Sequence, residues 1–279
     1  FFLQPHPAKP DPLWSRGLGD VYKRQLKDLE TKKSVFLIHK HNNPCGVAIR
    51  DNLLDAYLDA LSCDNVSAFG GILTSNQAID IKVAEEINKL FFEVLIAPNY
   101  SDSALDLLKS KKNRIIIKLK SYSINKLQTR SCLNGILEQD LDGKIDKFDD
   151  FKVVTKISPN SSKSDDLVLA SIIVKHTKSN CIAIVKNKQL IGSGMGQVSR
   201  IDALNQAIEK SNKFGFDLNE SCLASDAFFP FSDCVEISHA NNINSIVQPG
   251  GSIKDQDSID FCNKNGMSMV FSGIRHFRH

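Results

Sequence analysis

Lys40-His41-Asn42-Asn43-Pro44-Cys45-Gly46 follows the apolar run Ser34-Val35-Phe36-Leu37-Ile38 and precedes an amphipathic stretch carrying Leu53, Leu54, Tyr57, Leu58 and Leu61. That succession predicts a buried strand, a tight turn and then a helix. Asn43, ahead of Pro44, is biased away from the α region, and Gly46 accepts dihedrals that other residues avoid. The turn therefore holds Lys40 and His41 at a strand end, a cation beside a base. The plain alternative is that His39, Lys40 and His41 are ordinary polar residues where a strand meets water, and the rest of the chain has to decide between the two.

Working outward, Asp51 stands where it can cap the first helix. Ser67-Ala68-Phe69-Gly70-Gly71-Ile72-Leu73 reads as a loop entering a strand, its glycines allowing a ligand or another backbone to come close, or forming a bulge. Asp80 caps a helix through Val83, Ala84, Ile87, Leu90 and Phe91, and Val94 to Ala97 is a buried strand. A helix over 104–108 and a β-rich run over 114–119 complete a first half. The acidic, turn-rich segment 138–150 is a connector. The second half reads as strand 152–157, a helix from Asp165 or Asp166, a hairpin of 181–185 with 189–191, a glycine loop over 192–196 and a helix over 199–211. Strand 221–225, a helix near 233–241, strand 244–248, helix 255–265 and strand 267–271 close it. This alternation predicts an α/β protein with helix-covered sheets in two halves, 26–150 and 151–279. The halves share a rhythm and no sequence repeat.

The chain has 279 residues, 42% hydrophobic and 24% charged, with a formal net charge of +3. Such a composition is that of a soluble globular protein, and the charge is too mild to argue for a nucleic-acid surface. Small anionic ligands fit. Seven cysteines without a CxxC pair indicate neither a disulfide framework nor a thiolate zinc site, so a cytoplasmic setting is expected. No apolar run approaches the roughly 18 residues that span a bilayer. Residues 1–25, with prolines at 5, 7, 10 and 12 and the only Trp, have no strand or helix period and read as a non-native or disordered leader outside the fold.

Gly192-Ser193-Gly194-Met195-Gly196-Gln197 is not a G-x-G-x-x-G, and it follows the second arm of a hairpin, so a nicotinamide cofactor is disfavoured. What remains is a glycine loop before a helix N-terminus carrying Arg200, suited to an anion or a flat ligand. Ser225-Asp226-Ala227-Phe228-Phe229-Pro230-Phe231-Ser232-Asp233 puts three aromatics directly after a strand, either as core or as walls for a planar ring. The terminal Arg275-His276-Phe277-Arg278-His279 is either solvated or folded back. A deaminase zinc site needs H-x-E followed by P-C-x-x-C; Pro44-Cys45 is present, residue 48 is Ala and no H-x-E occurs, so no metal is expected.

Taken together, these stretches resemble the AICAR transformylase domain of the AICAR transformylase/IMP cyclohydrolase family, from about Lys33 to the terminus. The resemblance rests on an ordered set: K-H-x-N-P-C-G at 40–46, S-A-F-G-G-I at 67–72, E-V-x-I-A-P at 93–98, K-H-x-K-S-N at 175–180, G-x-G-x-G-Q-x-S-R at 192–200, S-D-A-F-F-P-F at 225–231, Q-P-G-G-S at 248–252 and R-H-F-R-H at 275–279. It implies two cytidine-deaminase-like α/β subdomains without the deaminase zinc, and a homodimer with sites at the interface. It also implies formyl transfer from the cosubstrate 10-formyltetrahydrofolate to the 5-amino group of AICAR, a step of purine (IMP) biosynthesis. Lys40, His41 and Asn180 match the catalytic positions. Gly70, Glu93 and Arg275 match positions that contact AICAR, and Arg200, Ile201, Phe228, Pro230, Phe231 and Asp233 match the folate slot.

The resemblance has departures. Leu169-Ala170-Ser171 stands where the family has F-A-W, and Ser232 where it has an arginine. The family's upstream R-Y-G-x-N-P-H-Q segment and its cyclohydrolase domain are not found in these residues. The resemblance therefore leads to the expectation of a fragment in which Arg275 holds the AICAR phosphate with fewer partners. The alternative expectation is a fragment that binds AICAR and folate without turnover.

Overall fold

Every residue from Val35 to Ile38 is fully buried, because the strand they form, β1 (Ser34–Lys40), is covered on both faces. Val35 and Leu37 enter one core with Leu167, Ala170 and Ile173, whereas Phe36 and Ile38 enter another with Ala56, Tyr57 and Ala60. Such a strand reads as a continuous apolar run without alternation. The structure, a computed structural model, describes residues 18–29, 31–120 and 127–278.

After β1 the chain turns at His41 and Asn42, whose φ angles are 49° and 64°, and returns as β2 (Asn43–Arg50), antiparallel to β1. The expectation that a turn at Asn-Pro leads directly to a helix is thus corrected: residues 43–50 are strand. Pro44 is tolerated because it pairs where the register shifts between Ile38 and His39, and a bulge leaves its missing N–H without a ladder partner to satisfy. Helix α2 (Leu53–Cys63) is capped by Asn52 instead of Asp51, the Asn52 side chain accepting from the Asp55 N–H. Strand β3 (Gly71–Ser75), α3 (Ile81–Asn88) with its Asp80 cap, β4 (Phe92–Ala97), α4 (Asp102–Lys109) and β5 (Ile115–Lys118) follow as expected.

The connector differs more. A separate hairpin, β6 (Leu127–Cys132) and β7 (Gly135–Asp140), takes its first residues, and the expected strand 152–157 shortens to β8 (Lys152–Val153). Helix α5 (Ser161–Lys175) starts earlier than read, capped by Asn160. Asp166, expected near its start, is buried and accepts the N–H groups of Asn187 (2.8 Å) and Lys188 (2.6 Å), holding the next hairpin turn. Then come β9 (Ile182–Lys186), β10 (Gln189–Gly194), α6 (Arg200–Lys213), β11 (Cys222–Ser225), α7 (Asp233–Ala240), β12 (Ser245–Gln248), α8 (Asp255–Lys264) and β13 (Ser268–Phe271). Residues 18–25, read as outside the fold, belong to helix α1 (Leu18–Asp28), which buries Tyr22 and Gln25; residues 1–17 lie outside the described residues.

Both halves share one sheet, in the order β5-β4-β3-β1-β2-β10-β9-β11-β12-β13-β8. Here the structure adds a repeat that the sequence does not display. The order 5-4-3-1-2 is mirrored by 13-12-11-9-10, with the same antiparallel and parallel pairings at each step. The turns between the paired strands also match: Asn187 and Lys188 have φ angles of 53° and 58°, like His41 and Asn42. The halves meet at β2 and β10, where Arg50 donates to the Asn187 carbonyl and the Gln189 side chain, and Lys210 pairs with buried Asp64 at 2.7 Å.

The glycine loop expected over 192–196 is corrected as well. Gly192 and Gly194 lie inside β10, under α6. A Cβ on Gly194 would stand 1.8 Å from the Ala203 carbonyl oxygen, and one on Gly192 2.3 Å from that of Ala207. Gly46 in β2 has the same relation to α2, 2.1 Å from the Ala60 oxygen. In both halves glycine lets the helix backbone rest directly on the strand.

Candidate active site

The 41–42 turn, the start of β2, the end of β10 and the segment ahead of β9 lie together at one end of the sheet. Asn43 Oδ1 accepts the Lys178 N–H at 3.0 Å, tying the Lys40-His41 turn to the loop that carries Asn180. Asn180 is fixed in turn by Gln197, through backbone bonds in both directions and from its side-chain amide to the Gln197 carbonyl at 3.0 Å. That amide carries two hydrogens, so one remains to be donated.

Lys40 Nζ donates to the Phe69 carbonyl at 2.5 Å, and an ammonium has two further donors. Gly70 has φ of 67°, and a Cβ there would meet Lys40 Nζ at 2.8 Å, so glycine at 70 leaves the ammonium its place. The next residue, Gly71, pairs with Phe92, and Ile72 with Val94, which makes Glu93 the extra residue of a bulge beside them. Lys40, Gly70 and Glu93 are thereby brought to one corner. His41 is exposed at the tip of the turn.

A second group forms in the other half. Arg200 pairs with fully buried Asp226 at 2.7 Å and donates to the Phe228 carbonyl at 3.0 Å. The guanidinium thereby holds the 226–228 segment. The α6 N-terminus is filled by its own Ser199 cap, whose hydroxyl also meets Asp202. The aromatic run divides, Phe229 being core and Phe231 half-exposed under Lys254 Nζ, 4.7 Å from its ring. Pro230 is exposed, Ile201 packs on the core beneath, and Asp233 opens α7, accepting from the Cys234 N–H.

The terminal residues fold back. Past β13 the chain crosses the strand ends: Ser272 N–H to Gln248, Gly273 N–H to Pro249 and His276 N–H to Asp226, while the Arg278 carbonyl accepts the Ser179 N–H and the Arg278 N–H donates to Ser179 Oγ. The Arg278 guanidinium reaches the Asn42 carbonyl at 3.0 Å and the His176 carbonyl. Arg275 is exposed on this strap, its guanidinium 5.4 Å from the Phe277 ring; among the described residues it makes no hydrogen bond or ion pair with either group above. Beneath the 176–180 loop, Asp28 takes both Lys175 (2.7 Å) and His176 (2.8 Å). Burial would push the Asp28 carboxyl up, but these two partners outweigh it and hold it below the usual range.

Sequence reasoning did not assign Asn43, Gln197 or Arg278 a role, although each stands inside a quoted motif. Nothing in the sequence pointed to Asp142 and Asp146, which meet His276 from the connector. Among the described residues no group of three or more His, Cys, Asp and Glu side chains is arranged to hold a metal, and no helix is long and apolar enough to cross a membrane.

Residues 21–210 match the family model described as the AICARFT/IMPCHase bienzyme. The chain is 53% identical over 250 residues to the bifunctional purine biosynthesis protein PurH of Bacteroides thetaiotaomicron, covering 90% of this chain and 49% of that protein. It is 48% identical over 244 residues to PurH of Acetivibrio thermocellus (86% and 47%) and 44% identical over 247 residues to PurH of Aquifex aeolicus (88% and 48%). The chain thus spans about half the length of the curated relatives it matches. A solved deaminase/reductase from Thermotoga maritima is 18% identical, with a TM-score of 0.27 over 34% of this chain and 31% of its own, and carries no argument. On the family match and these relatives, the chain belongs to the AICARFT/IMPCHase bienzyme family.

Proposed function

We propose that this chain performs the formyl-transfer half of its family's chemistry, moving a formyl group from 10-formyltetrahydrofolate to the 5-amino group of AICAR. The observation that carries the reading is the bond from Lys178 N–H to Asn43 Oδ1, which ties the catalytic candidates Lys40 and His41 to the loop of Asn180. The AICAR amine is a weak nucleophile, its lone pair being delocalised into the ring, so it needs a base at the moment of attack. Imidazole is the side chain suited to take a proton near neutral pH, and His41 stands exposed at the turn tip. As the formyl oxygen becomes an oxyanion, the uncommitted hydrogen of the Asn180 amide is its donor. Lys40, with two ammonium hydrogens uncommitted, stabilises that charge or protonates the departing folate nitrogen.

In this reading Gly70, Glu93 and Arg275 hold AICAR, the arginine facing its phosphate. Arg200, Ile201, Phe228, Pro230, Phe231 and Asp233 form the folate side. The mirrored halves are two cytidine-deaminase-like subdomains, 26–150 and 151–279, working in the cytoplasm. The 279-residue chain with both substrates is expected to release tetrahydrofolate. Turnover that proceeds without AICAR would overturn the reading, and ligand-dependent thermal stabilisation without product would favour a binding fragment.

A homodimer is part of the proposal. Ile136 and Leu137 are neighbours on β7 and point to opposite faces, yet both are exposed, as are Leu127 and Leu133. A two-stranded hairpin with uncovered apolar side chains is marginal in water, and a second copy is the cover we assign. Light scattering should give a dimer mass, and Ile136→Asp with Leu137→Asp a monomer; an unchanged mass would remove the hairpin from the interface.

A further inference from the structure

Of the strap residues 272–278, only His276 is buried. Its ring leaves the strand ends and enters the connector, where Nδ1 lies 2.6 Å from Asp142 Oδ2 and Nε2 lies 3.2 Å from Asp146 Oδ2. A carboxylate accepts, so an imidazole that meets one at each nitrogen donates from both and is the cation. Asp146 is itself fixed by the Ser171 hydroxyl of α5 at 2.5 Å, so the ring is clipped to the body of the second half.

The strap on either side of the clip reaches the site. One residue before His276 stands Arg275, and two residues after it Arg278 holds the Asn42 carbonyl of the Lys40-His41 turn. We propose that His276 is a positioning residue: held at both ring nitrogens by Asp142 and Asp146, it fixes the strap so that Arg275 faces the AICAR phosphate and Arg278 locks the catalytic turn. This rests on the formyl-transfer reading for its substrate, but the clip itself does not depend on it.

The charged neighbours agree. Burial alone would lower the imidazole, yet its hydrogen bonds to Asp142 and Asp146, and their charges, lift it to about 9. Lys175, from α5, points its ammonium at Asp28 and the Lys144 carbonyl, and Arg200 neutralises Asp226 beneath the strap. Arg275 and Arg278 are the cations of the strap itself. A histidine raised in the folded state contributes stability that is complete below its ordinary value near 6.5 and is lost as pH climbs through about 9.

The test uses the 279-residue chain and its His276→Gln, His276→Arg and Asp142→Asn variants. In His276→Gln, amide exchange at 276–278 is expected to accelerate and the KM for AICAR to rise about tenfold or more, the scale of one charge-assisted bond, with the KM for 10-formyltetrahydrofolate unchanged. His276→Arg should restore both readouts and keep the AICAR KM flat at alkaline pH, where the wild-type value climbs. Asp142→Asn, at the exposed side of the clip, should move the NMR titration of the His276 ring to lower pH. Unchanged strap protection in His276→Gln overturns the clip whether or not the enzyme turns over. Faster exchange with an unchanged AICAR KM overturns the positioning role. A wild-type chain without turnover sinks the formyl-transfer reading, and strap exchange still decides the clip.

Discussion

Replacing His41 with asparagine is expected to lower formyl transfer by about a hundred- to ten-thousand-fold, the range in which a positioned general base contributes, while leaving the melting temperature close to wild type. Asparagine is the informative substitution. His41 has φ of 49°, a region in which most side chains are strained and asparagine is tolerated. The mirrored turn already uses Asn187 at the matching place with φ of 53°. Alanine would remove the base too, but it lacks the polar side chain that helps histidine and asparagine occupy this region, which would blur the result. Thermal stabilisation by AICAR should survive, since the phosphate and ring contacts are assigned elsewhere. A His41→Asn enzyme that keeps wild-type kcat would take His41 out of the chemistry and move the search for a base to Lys40.

The same turn shows how far the sequence could be read. The buried run 34–38 and the polar pair after it were legible because an apolar run stopped by turn residues has few other meanings. The strand 43–50 was not, because Asn-Pro argues against a strand and only a bulge at Cys45, opposite the step from Ile38 to His39, makes room for Pro44. Gly192 and Gly194 misled for a related reason: glycine serves equally in a loop and under a closely packed helix, and nothing local separates the two. The mirrored topology was hidden because it lives in strand pairing, which unlike side chains can satisfy equally well. Of the candidate site, Lys40, Gly70 and Glu93 were legible as motif residues, and the structure brings them to one corner. Arg200 was legible as a charge but not as half of an ion pair with Asp226, and the Asp142–His276–Asp146 clip, spanning 130 residues or more, left no pattern to read.

The close seat of α6 on β10 sets up the second large effect. Gly194→Ala is expected to destabilise the chain by about 3 kcal/mol or more, at the upper end of overpacking costs. The obstacle is backbone, since the added carbon would stand 1.8 Å from the Ala203 oxygen and 2.6 Å from its carbonyl carbon. A flexible side chain could swing away; a helix carbonyl moves only if α6 lifts. Lifting α6 uncovers Leu204, Ala207 and Ile208, which are buried against the strands beneath. It also shifts the segment after Gly194, where Gln197 holds Asn180 in place, so transfer should fall even in molecules that remain folded. Gly143→Ala is the control: its nearest neighbour would be the Leu141 carbonyl oxygen at 3.8 Å, in ordinary contact, and its backbone needs no positive φ. Thermal unfolding of the pair separates the causes. A drop of several degrees in Gly194→Ala alone is the expected outcome, whereas equal melting of the two variants would mean that the helix yields at little cost and that glycine at 194 is not what fixes the distance between α6 and β10.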